Sequence, residues 1–146
     1  LRREILTMPR QVPALSADVR NMRHKMLTEQ ASMKRGGDRF DLKRDQGGIV
    51  DIEFVVQYLV LAHAAEHPAL AQWSDVIRLL ATLEQVGVMT TDQSTVLSSS
   101  YLLYRSALHG LALQGADTLA EAAAYEASRE QVKRVTEALL PGLQAT

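Results

Sequence analysis

The chain has 146 residues, 47% of them hydrophobic and 23% charged, with a net charge of −1 and no cysteine. These values describe an ordinary globular chain long enough to bury one core, and they exclude a disulfide framework and any thiolate zinc site. No apolar run reaches the roughly 18 residues of a membrane span. The basic N-terminus lacks the apolar stretch of a signal peptide, so a cytoplasmic protein engaging neither membrane nor nucleic acid is expected.

The charge is unevenly placed. Residues 1–45 carry eleven Lys/Arg against six Asp/Glu, and residues 46–146 carry five against eleven. A basic front end can face a phosphate-bearing ligand or an acidic protein surface, or simply be a solvated helix face. The first residues, Leu1 to Leu6, read as the middle of an element, so a piece of a longer protein is expected.

In chain order, Arg2 to Thr7 predicts a short helix stopped by Met8-Pro9. A second helix opens after Pro13, with Ser16 as its N-cap, and ends before Gly36-Gly37. Val19, Met22, Arg23, Met26 and Gln30 give it one narrow stripe at helical spacing. Arg39 to Lys43 alternates apolar and polar and predicts a short strand or extended segment. A lone strand has no evident partner here and would pair with something outside the chain.

Asp45-Gln46-Gly47-Gly48 then breaks the chain. Ile49 to Glu66 predicts a helix that is apolar nearly all round, and therefore central in a bundle. Ser74 or Asp75 caps the next helix, which buries Val76, Ile77, Leu79, Leu80 and Leu83 and ends at Gly87. Thr90 with Gln93 predicts a capping box and a helix to about Gln114. Thr118 with Glu121 predicts a second box and a last helix to about Leu140. The fold expected is an all-α bundle of about four to six helices with at most one short strand. Residues 1–48 would be the N-terminal helices and a connecting segment, and residues 49–146 the bundle proper, together one domain.

The stretch most able to carry chemistry runs from Phe40 to Phe54. Gly47-Gly48 ahead of a helix could offer bare N–H groups to an anion such as phosphate, with Lys43 and Arg44 close by. Alternatively, the glycines only break the chain. Asp51 and Glu53 lie in the first turn, where carboxylates favour the helix dipole. Two residues apart, they point roughly 200° away from each other and cannot pinch one metal ion. One of them must face neighbouring elements and needs a partner there, either a cation in an ion pair or a magnesium-bound nucleotide at an active-site edge. Gln57 lies one turn beyond Glu53 and could extend its patch.

Other candidates are weaker. His63 and His67 have metal-ligand spacing but no third ligand. His24 and His109 have no catalytic partner in sequence, and Ser98-Ser99-Ser100 lacks the glycines of a nucleophile elbow. Tyr101, Tyr104 and Arg105 are expected to pack between helices, Trp73 at a corner, and Met22 and Met26 in the core.

Gly47-Gly48-Ile49-Val50-Asp51-Ile52-Glu53-Phe54-Val55-Val56-Gln57-Tyr58-Leu59-Val60-Leu61 resembles the signature of the glutamine synthetase adenylyltransferases. Arg2 to Leu6, Met8-Pro9-Arg10, Val19 to Arg23 and Trp73-Ser74-Asp75 resemble the same family. The likeness covers most of residues 1–110. A looser Gly-Gly and Asp-Ile pattern is shared with the related uridylyltransferases of PII proteins, which the longer Asp-Ile-Glu-Phe run fits less well.

The resemblance implies the helical region of the C-terminal, adenylylating half of that enzyme. That half transfers AMP from ATP to a tyrosine of glutamine synthetase and the N-terminal half removes it by phosphorolysis, under PII and glutamine control. It implies magnesium and ATP as cofactors of the whole enzyme. It implies glutamine synthetase, a PII protein and an upstream nucleotidyltransferase domain as partners. The family's catalytic Gly-Ser turn and Asp-x-Asp pair occur nowhere in this sequence. The chain alone is therefore expected to be inactive, with Lys43, Gly47, Gly48, Asp51 and Glu53 at the edge where the bundle meets the catalytic domain. The competing expectation is an interaction module that binds glutamine synthetase or PII and never approaches the nucleotide.

Overall fold

The computed structural model describes residues 12–31, 39–115 and 118–144, with the side chains of residue 12 and residues 28–31 left aside. The short helix expected at Arg2 to Thr7 and the glycines at 36–37 lie outside the described residues. Within them the order is α1 (Val12–Ala31), β1 (Arg39–Asp41), α2 (Ile49–His63), a 3-10 turn (Pro68–Ala71), α3 (Val76–Gln85), α4 (Thr91–Leu113), β2 (Leu119–Glu121) and α5 (Ala122–Leu139). This is the all-α bundle expected from periodicity.

α2 is the axis of the bundle. Ile49, Val50, Ile52, Val55, Val56, Tyr58, Leu59 and Val60 are buried, so its apolar residues leave little of the helix to water. α1, α3, α4 and α5 all pack against it. The helix ends at His63, three residues earlier than expected, and a turn carries the chain into the 3-10 segment that begins at Pro68.

α3 and α4 form an antiparallel hairpin. α3 buries Leu79, Leu80, Thr82 and Leu83. At its end Gly87 adopts φ +82°, which L residues avoid, and Val88 N–H returns to the Leu83 carbonyl at 3.0 Å. Thr90 and Gln93 then close the expected capping box, with Gln93 N–H donating to Thr90 Oγ1 at 3.1 Å and Thr90 N–H to Gln93 Oε1 at 3.0 Å.

Four expectations need correction. First, β1 is not waiting for a strand from elsewhere. It pairs antiparallel with β2 in the register Arg39↔Glu121, Phe40↔Ala120 and Asp41↔Leu119. Second, Thr118 and Glu121 do not form a capping box. Residues 119–121 are that partner strand, α5 starts at Ala122, and Thr118 Oγ1 donates instead to Asp41 Oδ1 at 2.8 Å. A long-range ribbon outcompetes a local cap because it also buries Phe40 against Tyr104 and Tyr125, with ring centroids 5.8 and 6.3 Å away.

Third, Ser16 is not an N-cap. α1 begins at Val12, with Pro13 in its first turn where a missing N–H costs nothing. Fourth, the core stripe of α1 is narrower than expected, since Met22 is 60% exposed while Val19 and Arg23 are buried. Arg105 is likewise exposed, whereas Tyr104 is fully buried between helices as expected.

Candidate functional site: a buried ionic hub beneath the Gly-Gly turn

Asp51 occupies the third position of α2 and is 1% exposed. A carboxylate buried there is tolerable only when its charge is paired and its lone pairs are filled. Arg23 Nε of α1 donates to Oδ1 at 2.5 Å. Gly47 N–H and Gln144 Nε2 both donate to Oδ2 at 2.7 Å. Arg23 is itself fully buried, and its Nη2 donates to the Arg44 carbonyl at 2.7 Å. The ionic pair thus clamps α1, the β1–α2 turn, the start of α2 and the C-terminal turn at one point. Of the two readings open for Asp51, a cation partner holds it, and that cation is a protein side chain.

The C-terminal turn is tied as closely. Gln144 Nε2 also donates to Thr136 Oγ1 at 2.9 Å. The Glu137 carboxylate accepts from Gly142 N–H at 2.7 Å and Gln144 N–H at 2.9 Å. Arg20 Nη1 donates to the Pro141 carbonyl at 2.8 Å, and His24 Nε2 lies 3.0 Å from the Gly142 carbonyl. Leu140 and Leu143 are fully buried on either side of the turn. Among the described residues the hub leaves Arg23 Nη1 and Gln144 Oε1 buried without a hydrogen-bonding partner, and Tyr104 Oη is in the same condition. Burial, more than the neighbouring charges, pushes the Tyr104 hydroxyl far above the usual phenol range, so it stays neutral.

The glycines have a packing reason. A Cβ on Gly48 would lie 2.7 Å from the Leu42 carbonyl oxygen and 2.9 Å from that of Asp45. Gly47 has φ +80°, and a Cβ there would lie 2.6 Å from Arg129 Cγ and from the Arg129 carbonyl oxygen. Their N–H groups are already engaged. Gly47 N–H goes to Asp51, Gly48 N–H to the Asp45 carbonyl at 2.9 Å, Ile49 N–H to that of Leu42 at 2.8 Å, and Val50 N–H to that of Lys43 at 3.0 Å. The N–H groups of residues 47–50, which an anion at this turn would use, are therefore taken within the turn.

The remaining candidates face outward. Lys43 and Arg44 are exposed on a turn whose backbone is fixed, their N–H groups donating to Asp41 Oδ1 at 3.0 and 3.1 Å. Glu53 and Gln57 are exposed one turn apart on α2. With Met22 and Phe54 they rim a groove of about 380 Å³ between α1 and α2, floored by Val19 and Val50. The structure therefore separates the five candidate positions. Gly47, Gly48 and Asp51 form the buried frame, while Lys43 and Glu53 lie on the outer surface. Among the described residues, no group of three or more His, Asp or Glu is placed to hold a metal ion, and His63 and His67 gain no third ligand.

Arg23 and Gln144 are the hub residues that motif reading did not single out. Arg23 carried a signal, a cation inside an apolar stripe one turn from Val19 and Met26. Gln144 carried none, since its partner lies 93 positions away.

A family model described as GlnD PII-uridylyltransferase matches residues 20–137. The match spans Arg23, the Gly-Gly turn, Asp51 and all but the last two residues of α5, and stops short of Gln144. It defines the chain as nucleotidyltransferase-related, of a general transferase class. The chain belongs to the GlnD PII-uridylyltransferase family. The resemblance to adenylyltransferases read from Gly47 to Leu61 is thus carried at the coarser level of that nucleotidyltransferase relation.

Proposed function

We propose that this chain is the helical accessory region of an enzyme that transfers a nucleotidyl group to a nitrogen-regulatory protein, AMP from ATP to a tyrosine of glutamine synthetase. The observation that carries this reading is the buried Arg23–Asp51 pair under the Gly-Gly turn. It holds the signature segment so that Lys43 and Glu53 stand outward, Glu53 at the rim of the α1–α2 groove. A frame of that kind suits a surface against which a separate catalytic domain closes. That domain would bring magnesium and ATP, and the groove beside Glu53 would be its seat. Cytoplasmic localisation and PII control belong to the same proposal.

A second reading has a specific observation in its favour. The family match carries the name of the PII uridylyltransferases, so UMP transfer to a PII protein is the alternative reaction. The two readings separate in one experiment. The longer enzyme is incubated with magnesium and labelled ATP or UTP, offering glutamine synthetase or PII as acceptor. Labelling of glutamine synthetase from ATP supports the first reading, and labelling of PII from UTP replaces it with the second. The 146-residue chain alone should label neither, because the Gly-Ser turn and Asp-x-Asp pair are missing from its sequence.

A further inference from the structure

We infer that Arg129, with Lys133 and the Lys43-Arg44 turn, forms a preset docking face for a carboxylate-bearing protein surface. Arg129 is held at two points. Its Nε donates to the Gln46 carbonyl at 2.7 Å, and its guanidinium carbon lies 4.7 Å from the centroid of the buried Phe40 ring. Among the described residues its two terminal nitrogens donate to nothing, and neither is a buried unpartnered atom. Arg129 is half-buried, and a planar fork whose stem is fixed while its tips are left without a protein partner is the geometry that takes a carboxylate bidentately.

The surroundings add positive charge. Lys133 packs against Gly47, where a Cβ would lie 3.1 Å from its Cγ, and its ammonium has only a 3.6 Å contact with Glu130. Lys43 and Arg44 are exposed on the same turn that Arg129 buttresses, and no ion pair among the described residues engages them. The turn's own acids are engaged by neighbouring donors. Asp41 accepts from Lys43, Arg44 and Thr118, Asp45 from Asp41 N–H, and Asp51 from Arg23. Glu126 and Glu130 on α5 are the exposed carboxylates nearest in sequence, so the face is cationic but not uniformly so.

The occupant follows from magnitude. An isolated exposed ion pair shifts an equilibrium by no more than about fivefold. Among the described residues no pocket is lined by these side chains. A small free anion would be held weakly, whereas a protein surface placing several carboxylates at once gains from each. The inference needs no nucleotide, and Lys43 is the one residue it shares with the edge proposed above.

The test is fluorescence anisotropy of a labelled glutamate-rich peptide titrated with this chain. Binding should weaken steeply with salt. Arg129→Lys, which keeps the charge and loses the fork, should weaken it about threefold. Arg134→Lys, exposed on another face of α5, should leave it unchanged. Thermal melting checks that Arg129→Lys folds. If it does not, the Lys43→Gln/Lys133→Gln double variant replaces it, and loss of binding there supports the inference. No binding by the native chain, or equal binding by both Arg129→Lys and the native chain, overturns it. So does inorganic tripolyphosphate or single-stranded DNA binding as tightly as the peptide.

Discussion

The α3–α4 hairpin and the Asp51 hub are held together by opposite means. The hairpin is leucine against leucine, with Leu79, Leu80, Leu83 and Leu97 almost wholly buried and a capping box at its turn. The hub is a charge pair and a ring of hydrogen bonds joining residues 23, 47, 51 and 144. Apolar burial is divisible, since each methylene contributes on its own. A buried ion pair is not, because removing either partner strands the other in a medium that cannot solvate it. The hairpin should therefore respond additively to substitution, and the hub should not.

The largest expected effect is at the hub. Asp51→Asn should cost about 3–5 kcal/mol by urea unfolding, because Arg23 is left charged and buried. Replacing both partners, Arg23→Met with Asp51→Leu, should cost much less than the two single changes together. An additive double variant would show that the pair is not coupled. In the hairpin, Leu97→Ala should cost about 2–5 kcal/mol and add to Leu83→Ala unless the two cavities merge.

Caps give a smaller contrast. Thr90→Ala breaks the closed box and should cost about 1 kcal/mol. Thr118→Ala should lose only the bond to Asp41, about 0.5–1.5 kcal/mol, and should destabilise the β1–β2 ribbon more than α5. Hydrogen exchange at Leu42 N–H, which donates to the Thr118 carbonyl, reports on that ribbon.

The smallest effect is at Tyr104. Its hydroxyl is buried without a partner, so Tyr104→Phe should be neutral or slightly stabilising at pH 7. Because folding raises this pKa, the unfolded chain loses the proton first. The stability tied to Tyr104 is present below about pH 10 and lost as the pH rises past it. The half-buried Tyr101, raised chiefly by burial as well, adds to the same alkaline limb. Tyr104→Phe should flatten that limb, and an unchanged limb would assign it elsewhere.

The same contrast governs how much was legible beforehand. The hairpin could be read residue by residue, because helical spacing, Gly87 and the Thr90–Gln93 box are all local signals. The hub could be read only in part. A carboxylate pair in the first turn of a helix announces that one member must find a partner, and Asp51 does. Nothing near it in sequence names Arg23, and nothing at all names Gln144. Thr118 to Glu121 shows the limit most clearly. Its capping pattern was locally sound, and it lost to a strand pairing with residues about 80 positions away, a competitor invisible to a local window. At the glycines the sequence left an anion seat and a plain chain break both open, and only folding reveals how closely Arg129 and the Leu42 carbonyl approach them.

The proposal rests on Asp51 as the keystone of a frame whose outer surface carries Glu53 and Lys43. The most direct test places Asp51→Asn in the longer enzyme and measures its melting temperature alongside nucleotidyl transfer. The account predicts that both fall together. Transfer lost with the melting temperature unchanged would contradict it and make Asp51 a participant in the chemistry.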